Sequence, residues 1–74
     1  MTNLSAVREF VGGREAQGSN LRSTGNELIS YSTVIAQYEN GGIAMTSKKY
    51  SRTTSAHQNL LRGLYPDLIE REAL

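Results

Sequence analysis

Apolar residues recur at helical spacing near the start of the chain. Leu4, Val7, Phe10 and Val11 each lie three or four residues from another member of the set. This spacing places them on one face of a helix. Polar residues at the start can cap it, and Gly12 and Gly13 can end it. The pattern therefore predicts a short N-terminal helix over residues 1–12, followed by a polar loop over residues 13–19.

From residue 20 the pattern changes to one typical of strands. The segment "STVIAQYEN" is rich in β-branched and aromatic residues, which favour strands. Glycine and asparagine at residues 24–26 and 40–42 are typical of hairpin turns. We therefore predict an antiparallel β-meander within residues 20–51. Its expected strands are 20–24, 27–31, 33–39 and 43–47.

A second helix is predicted over residues 54–63. The letters "SAHQ" at residues 55–58 fit a capping box, in which the serine hydroxyl accepts a hydrogen bond from the glutamine backbone N–H. Leu60 and Leu61 supply an apolar face, and Gly63 suits a C-cap. This helix would follow directly from the last strand of the meander.

Together these elements predict one small α+β domain. The chain has 74 residues, of which 38% are hydrophobic, enough for a single compact core. We expect a meander of three or four strands packed against the C-terminal helix, with the short N-terminal helix beside it and an acidic tail over residues 64–74. A sheet this small leaves edges and one face to be covered, so homo-oligomerisation stays open.

Positive charge is concentrated in one segment, although the net charge is only +1. Residues 48–62, "KKYSRTTSAHQNLLR", contain four cations, the sole histidine and no acid. An anionic partner surface is therefore expected to contact this segment. Its candidate binding residues are Lys48, Lys49, Tyr50, Arg52, His57 and Arg62.

Catalytic and metal chemistry are not indicated. Several hydroxyl side chains lie near His57, but a nucleophilic site also needs a group that orients the base, and no acid is close in sequence. Helix capping explains these hydroxyls better. One histidine, no cysteine and scattered carboxylates offer no ligand spacing for a metal. We predict no enzymatic activity, no metal and no cofactor.

Membrane insertion is not indicated either. No run of residues approaches the roughly 18 apolar positions that a membrane-spanning helix needs. The first residues, "MTNLSAVREFVGG", lack a basic leader followed by an apolar stretch. We therefore expect a cytoplasmic protein.

Two segments resemble a known group of proteins. "LISYSTVIA" at residues 28–36 and "YSRTTSAHQN" at residues 50–59 are similar to motifs of small, mostly uncharacterised bacteriophage proteins. Those motifs read Leu-x-Ser-Tyr-x-Thr-x-Ile-Ala and Tyr-Ser-x-Thr-Thr-Ser-x-His-x-Asn. The resemblance covers about residues 19–62. It implies a phage or prophage origin and an accessory role in the host cytoplasm, and it implies no mechanism.

Two functions fit these observations. By analogy with accessory phage proteins of this size, the domain is expected to bind a host or defence-system protein stoichiometrically, as anti-CRISPR and other anti-defence inhibitors do. Exposed strand edges, tyrosines and the basic segment would form the contact. The alternative is a nucleic-acid-binding module that grips the phosphate backbone through residues 48–62, with Tyr50 stacking on bases and the helix start holding a phosphate.

Overall fold

The computed structural model describes residues 2–48, 50–72 and 74. Within them the chain forms two helices and six strands, all six in one sheet. In chain order they are α1 (Asn3–Val11), β1 (Glu15–Gln17), β2 (Leu21–Thr24), β3 (Glu27–Ser30), β4 (Thr33–Glu39), β5 (Gly42–Thr46), α2 (Arg52–Leu64) and β6 (Ile69–Arg71). Strands β1 to β5 pair antiparallel with their chain neighbours, whereas β6 pairs parallel with β5.

The class is α+β, but the expectation of a three- or four-stranded antiparallel meander is wrong, because the sheet is mixed and has six strands. The two additional strands come from segments predicted as a loop and as an acidic tail: β1 lies within residues 13–19 and β6 within residues 64–74. Each has three residues, most or all of them exposed. Three residues are too few to show the apolar alternation that marks a half-buried strand in a sequence.

Residues with positive φ angles form the tight turns on either side of β4. Asn40 and Gly41, between β4 and β5, have φ angles of 52° and 80°, which asparagine and glycine adopt at low cost. Tyr31, between β3 and β4, has a φ angle of 56°, which is uncommon for a bulky residue. The Tyr31 side chain stays 58% exposed. This turn therefore presents an aromatic ring to solvent.

A bulge in β4 brings two consecutive residues into the core. Leu28 pairs with Ala36, and the next residue of β3, Ile29, pairs with Val34. Ile35 is therefore the extra residue of the bulge. Ile35 and Ala36 are both fully buried, so the bulge adds apolar surface to the same face of the sheet.

Both helices cover one face of the sheet. Helix α1 contacts β1, β2, β3 and α2, and the Tyr38 hydroxyl donates to the carbonyl oxygen of Val11 at its end. The core between the layers consists of Val7, Phe10, Leu21, Leu28, Ile35, Ala36, Ile43, Met45 and Leu61. We call the opposite side of the sheet the outer face. From the strand pairing and the alternation of side chains, it carries Glu27, Ile29, Val34, Gln37, Ala44 and Thr46.

Candidate binding surface

The start of α2 determines which part of the basic segment faces solvent. The helix begins at Arg52 and its N-cap is Ser51, two residues before the predicted start at residue 54. The Ser51 hydroxyl accepts a hydrogen bond from the Thr54 backbone N–H at 3.1 Å. The capping box predicted at residues 55–58 is wrong, because Ser55 already lies inside the helix.

Gln58 has a different partner from the one the capping box predicts. Its side-chain amide donates to the carbonyl oxygens of Thr46 at 2.9 Å and of Lys48 at 3.2 Å. Gln58 is 3% exposed, so these bonds form where water is largely excluded. They attach α2 to the end of β5 and set the course of the chain between the two elements.

His57 lies inside the molecule and does not belong to the basic surface predicted for it. The residue is 2% exposed. Nδ1 is 2.8 Å from Ser30 Oγ, and Nε2 is 3.2 Å from Asn3 Nδ2. Ser30 Oγ is also 3.1 Å from Thr54 Oγ1. We call these four residues the histidine cluster; it connects α1, β3 and α2.

The directions of the hydrogen bonds in the histidine cluster follow from Asn3. Asn3 Oδ1 accepts from the Asn20 backbone N–H at 3.3 Å, so Nδ2 is the atom that faces the imidazole and donates to it. His57 Nε2 therefore accepts, and the ring proton lies on Nδ1, which donates to Ser30. Burial lowers the pKa of His57 and favours this neutral ring.

The histidine cluster has a serine beside a histidine, but its geometry is that of a structural network. A catalytic base must accept the proton of the nucleophile, whereas Nδ1 here donates to Ser30. Ser30 is also 1% exposed, so substrate has no access to its hydroxyl. Among the described residues, every buried side-chain nitrogen and oxygen has a hydrogen-bond partner. The cluster therefore satisfies its own polar groups while joining three elements.

Arg62 is engaged in an intramolecular ion pair. Its guanidinium bonds the Glu70 carboxylate at 2.7 and 3.3 Å, and Asn59 Oδ1 at 2.8 Å. The bond to Arg62 lowers the pKa of Glu70. This two-point contact holds α2 to β6, and it leaves Arg62 less available to a partner than the sequence indicated.

The remaining predicted binding residues are exposed. Lys48, Tyr50 and Arg52 face solvent, and the Lys48 Nζ lies 5.6 Å from the centroid of the Tyr50 ring. This is within the range of a cation–π interaction. Lys49, the sixth predicted residue, lies outside the described residues. Among the described residues, the exposed cations of this segment are therefore Lys48, just after β5, and Arg52, the first residue of α2.

Tyr31 is a further exposed aromatic residue, which was not among the predicted binding residues; its side chain lines a separate pocket with Arg22 and Ile29. Tyr31 follows Ser30, whose hydroxyl contacts Thr54 in the first turn of α2, so the β3–β4 turn lies next to the helix start. Tyr31 was not predicted to bind a partner because it fell within the predicted strand 27–31, and a strand residue is expected to pack against its neighbours. We call Tyr31, Lys48, Tyr50 and Arg52 the tyrosine–cation surface.

A groove of about 630 Å³ crosses the outer face and includes Lys48 and Tyr50 of this surface. Its lining residues are Glu27, Val34, Gln37, Thr46, Lys48, Tyr50, Glu72 and Leu74. These described residues supply carboxylates as well as an ammonium group. A phosphate backbone prefers a groove with a single positive sign, so the mixed charges favour a different kind of ligand.

The described part of the chain has neither a cluster of metal ligands nor a helix suited to crossing a membrane. Within residues 2–48, 50–72 and 74, no three histidine, aspartate or glutamate side chains converge as metal ligands. In the same residues, no helix has both the length and the apolar content to cross a membrane.

The molecule is thus a small two-layer α+β domain with a buried histidine cluster beneath an exposed surface of tyrosines and cations. The chain belongs to a family of unknown function, DUF8033, which matches it over residues 3–72. No curated protein and no solved structure matches the chain. The family match includes both the histidine cluster and the tyrosine–cation surface.

Proposed function

We propose that this protein is a small phage accessory protein that binds a host or defence-system protein stoichiometrically in the host cytoplasm, in the manner of anti-CRISPR and other anti-defence inhibitors. The phage origin is supported by the resemblance of residues 28–36 and 50–59 to phage proteins. The observation that supports binding is the tyrosine–cation surface.

The composition of the tyrosine–cation surface suits a protein partner. Tyrosine and arginine are enriched among the residues that contribute most to protein–protein affinity. Tyr31 and Tyr50 are 58% and 45% exposed, so both rings have apolar area to bury. Tyrosine also loses little side-chain entropy when it is immobilised, because it has two rotatable bonds. Two such rings beside two cations can anchor a modest interface.

The histidine cluster gives the surface a rigid support. Ser30 is bonded to both Thr54 and His57, so the turn that carries Tyr31 is held against the helix that begins at Arg52. A contact surface that is already ordered loses less entropy when a partner binds. This support favours a preformed binding surface.

Protein binding is favoured over the nucleic-acid alternative by the charges that remain at the surface. Of the cationic or histidine side chains predicted to contact a partner, His57 is buried and Arg62 is paired with Glu70. Lys48 and Arg52 are the exposed ones among the described residues. The phosphate contacts that these two described residues can make would give only weak, salt-sensitive binding. Glu27 and Glu72 in the adjoining groove would also repel phosphates.

The test compares affinity capture from phage-infected bacterial lysate by the wild type and by Tyr31→Ala/Tyr50→Ala and Arg52→Glu variants. We expect a protein retained at about one copy per chain, with retention at least about tenfold lower for both variants. Arg8→Glu is the matched control, because Arg8 is exposed on the other helix and the charge change is the same. Equal retention by all variants would reject the tyrosine–cation surface.

A second assay separates this function from nucleic-acid binding. Fluorescent single- and double-stranded DNA and RNA are titrated at about 50 and about 200 mM salt. The proposal predicts no saturable binding at the higher salt. Affinity that decreases about tenfold or more over this range, and that disappears in Lys48→Glu/Arg52→Glu, would instead identify a nucleic-acid module.

A further inference from the structure

A second pocket lies on the outer face, at the end of the sheet where β1 turns into β2 and β3 turns into β4. Gln17, Arg22 and Ile29 pair in one row across β1, β2 and β3, and all three line this pocket. Paired residues of neighbouring strands project to the same side of a sheet. Tyr31 and the turn of residues 18–20 complete the walls. We call this site the arginine pocket.

The arginine pocket is positively charged. Among the described residues that line it, Arg22 is the one with a charge, and the ion pairs of the described chain are formed by other arginines. The acids of β1 and β3, Glu15 and Glu27, each precede the row by two positions. They therefore lie about 6.6 Å along their strands, away from the turns that form the pocket. Glu15 lines an adjoining hollow with Arg22 and does not line the pocket.

The walls of the arginine pocket are held by hydrogen bonds. The Tyr31 backbone N–H donates to the carbonyl oxygen of Asn20 at 2.8 Å, which joins the two turns. The Asn20 N–H donates to Asn3 Oδ1 at 3.3 Å, so the histidine cluster supports the β1–β2 turn from behind. Gly18 packs closely on the same side chain, since a Cβ there would lie 2.5 Å from Asn3 Oδ1. The pocket is therefore preformed, which lowers the entropy lost on binding.

The volume of the arginine pocket decides what class of ligand it can hold. At about 240 Å³ it is smaller than the roughly 300–1,000 Å³ of small-molecule sites, and it suits a single side chain. Ile29, which is 7% exposed, gives it an apolar base. An arginine guanidinium matches the planar geometry of a carboxylate with two parallel hydrogen bonds. A phosphate backbone, in contrast, is bound by several cations.

We propose that the arginine pocket receives an acidic side chain of the protein partner. Its carboxylate bonds to Arg22, and its methylene groups pack on Ile29 and the Tyr31 ring. The acidic occupant rests on the proposed binding of a host or defence-system protein, and it adds the chemistry of that partner. Tyr31 lies in both the tyrosine–cation surface and the arginine pocket. Together the two sites present Arg22, Lys48 and Arg52 as exposed cations, which an acidic partner surface complements.

NMR titration of the purified full chain tests the pocket without a partner. The probe is a glutamate residue blocked at both ends, and the blocked glutamine residue is its matched control. The glutamate probe should shift the amide signals of Arg22, Ile29 and Tyr31 with a Kd of about 1–10 mM, as expected for one side chain. The glutamine probe should bind at least about fivefold more weakly, because it lacks the charge. Equal binding of the two probes, or no shift at these residues, overturns the proposal.

Dimethyl phosphate distinguishes a carboxylate site from a phosphate site. It carries the same single charge as the glutamate probe and has the chemistry of a nucleic-acid backbone. We expect it to bind the arginine pocket more weakly than the glutamate probe, because it has no side chain to pack on Ile29 and Tyr31. Tighter binding of dimethyl phosphate at these residues would overturn the assignment to an acidic side chain.

Two exposed arginines provide matched variants for the same titration. Arg22→Gln removes the charge of the pocket and should raise the Kd of the glutamate probe at least about tenfold. Arg8→Gln removes an exposed arginine of α1 and should leave that Kd within about twofold. Neither side chain is buried, so both variants should fold, and the dispersion of their spectra shows whether they do. Wild-type affinity in Arg22→Gln overturns the proposal.

Affinity capture separates failure of the pocket from failure of the proposed function. Arg22→Glu should lower retention of the captured protein at least about tenfold, whereas Arg8→Glu should not. If Arg22→Glu retained the protein at the wild-type level while the Tyr31→Ala/Tyr50→Ala variant lost it, the proposed function would stand and the arginine pocket would be overturned. If the glutamate probe bound at Arg22 but no protein were captured, the carboxylate site would be supported and the proposed function contradicted.

Discussion

The stretch "KKYSRTTSAHQN" at residues 48–59 divides into two parts with opposite environments. In the first part, Lys48, Tyr50 and Arg52 are exposed, whereas in the second part Thr54, His57 and Gln58 are almost completely buried. Both parts are polar in sequence. The difference shows that polarity alone does not separate residues that build this fold from residues that are free to bind a partner.

Helical phase explains where the division falls. Helix α2 begins at Arg52, and its buried residues are Thr54, His57, Gln58 and Leu61. The successive spacings are three, one and three positions. This is the spacing of one helix face. Three of the four are polar, and each polar side chain finds a fixed partner in β3, β5 or α1. The buried part is thus a polar extension of the core.

Removing the imidazole should have the largest effect on stability. His57→Ala leaves a cavity and takes a hydrogen-bond partner from both Ser30 and Asn3, so we expect a loss of about 2–4 kcal/mol in the free energy of unfolding, measured by urea denaturation. This is a large part of the stability of a domain this small. A loss below about 1 kcal/mol would mean that the histidine cluster does not hold the elements together.

His57→Gln is the companion variant, because it keeps a side chain that can both donate and accept. It should retain more stability than His57→Ala. If the two variants were equally destabilised, the lost packing volume rather than the hydrogen bonds would account for the effect.

The free energy of unfolding should also depend on pH through His57. Burial lowers the pKa of His57 in the folded chain below its usual 6.5, so below that pH the unfolded chain binds more protons than the folded one. Stability is therefore fully present above about pH 6.5 and decreases as the pH falls, by at most about 1.4 kcal/mol per pH unit. Urea denaturation between about pH 5 and 7.5 measures this slope.

Two carboxylates also make the free energy of unfolding depend on pH, but at lower pH than His57 does. Hydrogen bonds from Gln37 and Arg71 lower the pKa of Glu39, and the contact with Arg62 lowers the pKa of Glu70. Their contributions are lost only as the pH falls below about 4.5, the usual value for glutamate. If the free energy of unfolding of His57→Gln still decreased as the pH fell through about 6, a group other than His57 would be responsible for the pH dependence.

Removing the hydroxyl that caps α2 should have a smaller effect on the free energy of unfolding. Ser51→Ala removes the oxygen that accepts from the Thr54 N–H and should cost about 1 kcal/mol. Ser55→Ala alters a residue inside the helix and should change stability by less than about 0.5 kcal/mol. Thermal or urea denaturation of the two variants measures both losses of stability. A larger loss for Ser55→Ala than for Ser51→Ala would place the cap at Ser55.

Substitutions in the exposed part should have the smallest effect on stability. Lys48→Ala and Arg52→Ala should each change the free energy of unfolding by less than about 0.5 kcal/mol, because neither side chain is buried. The same urea titration provides the measurement. A loss above about 1 kcal/mol in either variant would place that residue among the structural contacts and remove it from the candidate binding surface.

The four central strands could be predicted because their signals are local. Glycine and asparagine near residues 25 and 40 mark two of the turns, and the apolar residues between them lie on buried strands. Strand β1 could not be found this way, since its three residues, "EAQ", are too few for an alternating pattern to be recognised. Strand β6 was also missed, because Ile69 is 61% exposed and the glutamates around it favour helix. Its pairing partner, β5, is more than twenty residues earlier in sequence.

The candidate binding surface was predictable only in part, for a related reason. Lys48, Tyr50 and Arg52 lie at a boundary between elements, where a sequence indicates exposure reliably. The burial of His57 depends on Ser30 and Asn3, which are 27 and 54 positions away. No local pattern encodes contacts at that distance. His57 was predicted to bind a partner because Ser30 and Asn3, which bond it in the structure, lie outside the basic segment.

The parallel pairing of β6 with β5 has a consequence for how the chain folds. Three turns of two residues join β2 to β3, β3 to β4 and β4 to β5, so the contacts between these strands close short loops quickly. The β5–β6 contact must enclose the whole of α2 and therefore closes the longest loop in the sheet. We expect β6 to join last and open first, with α2 released from β6 whenever the Arg62–Glu70 contact breaks. Amide hydrogen exchange would then be fastest at this edge, while the central hairpins stay protected.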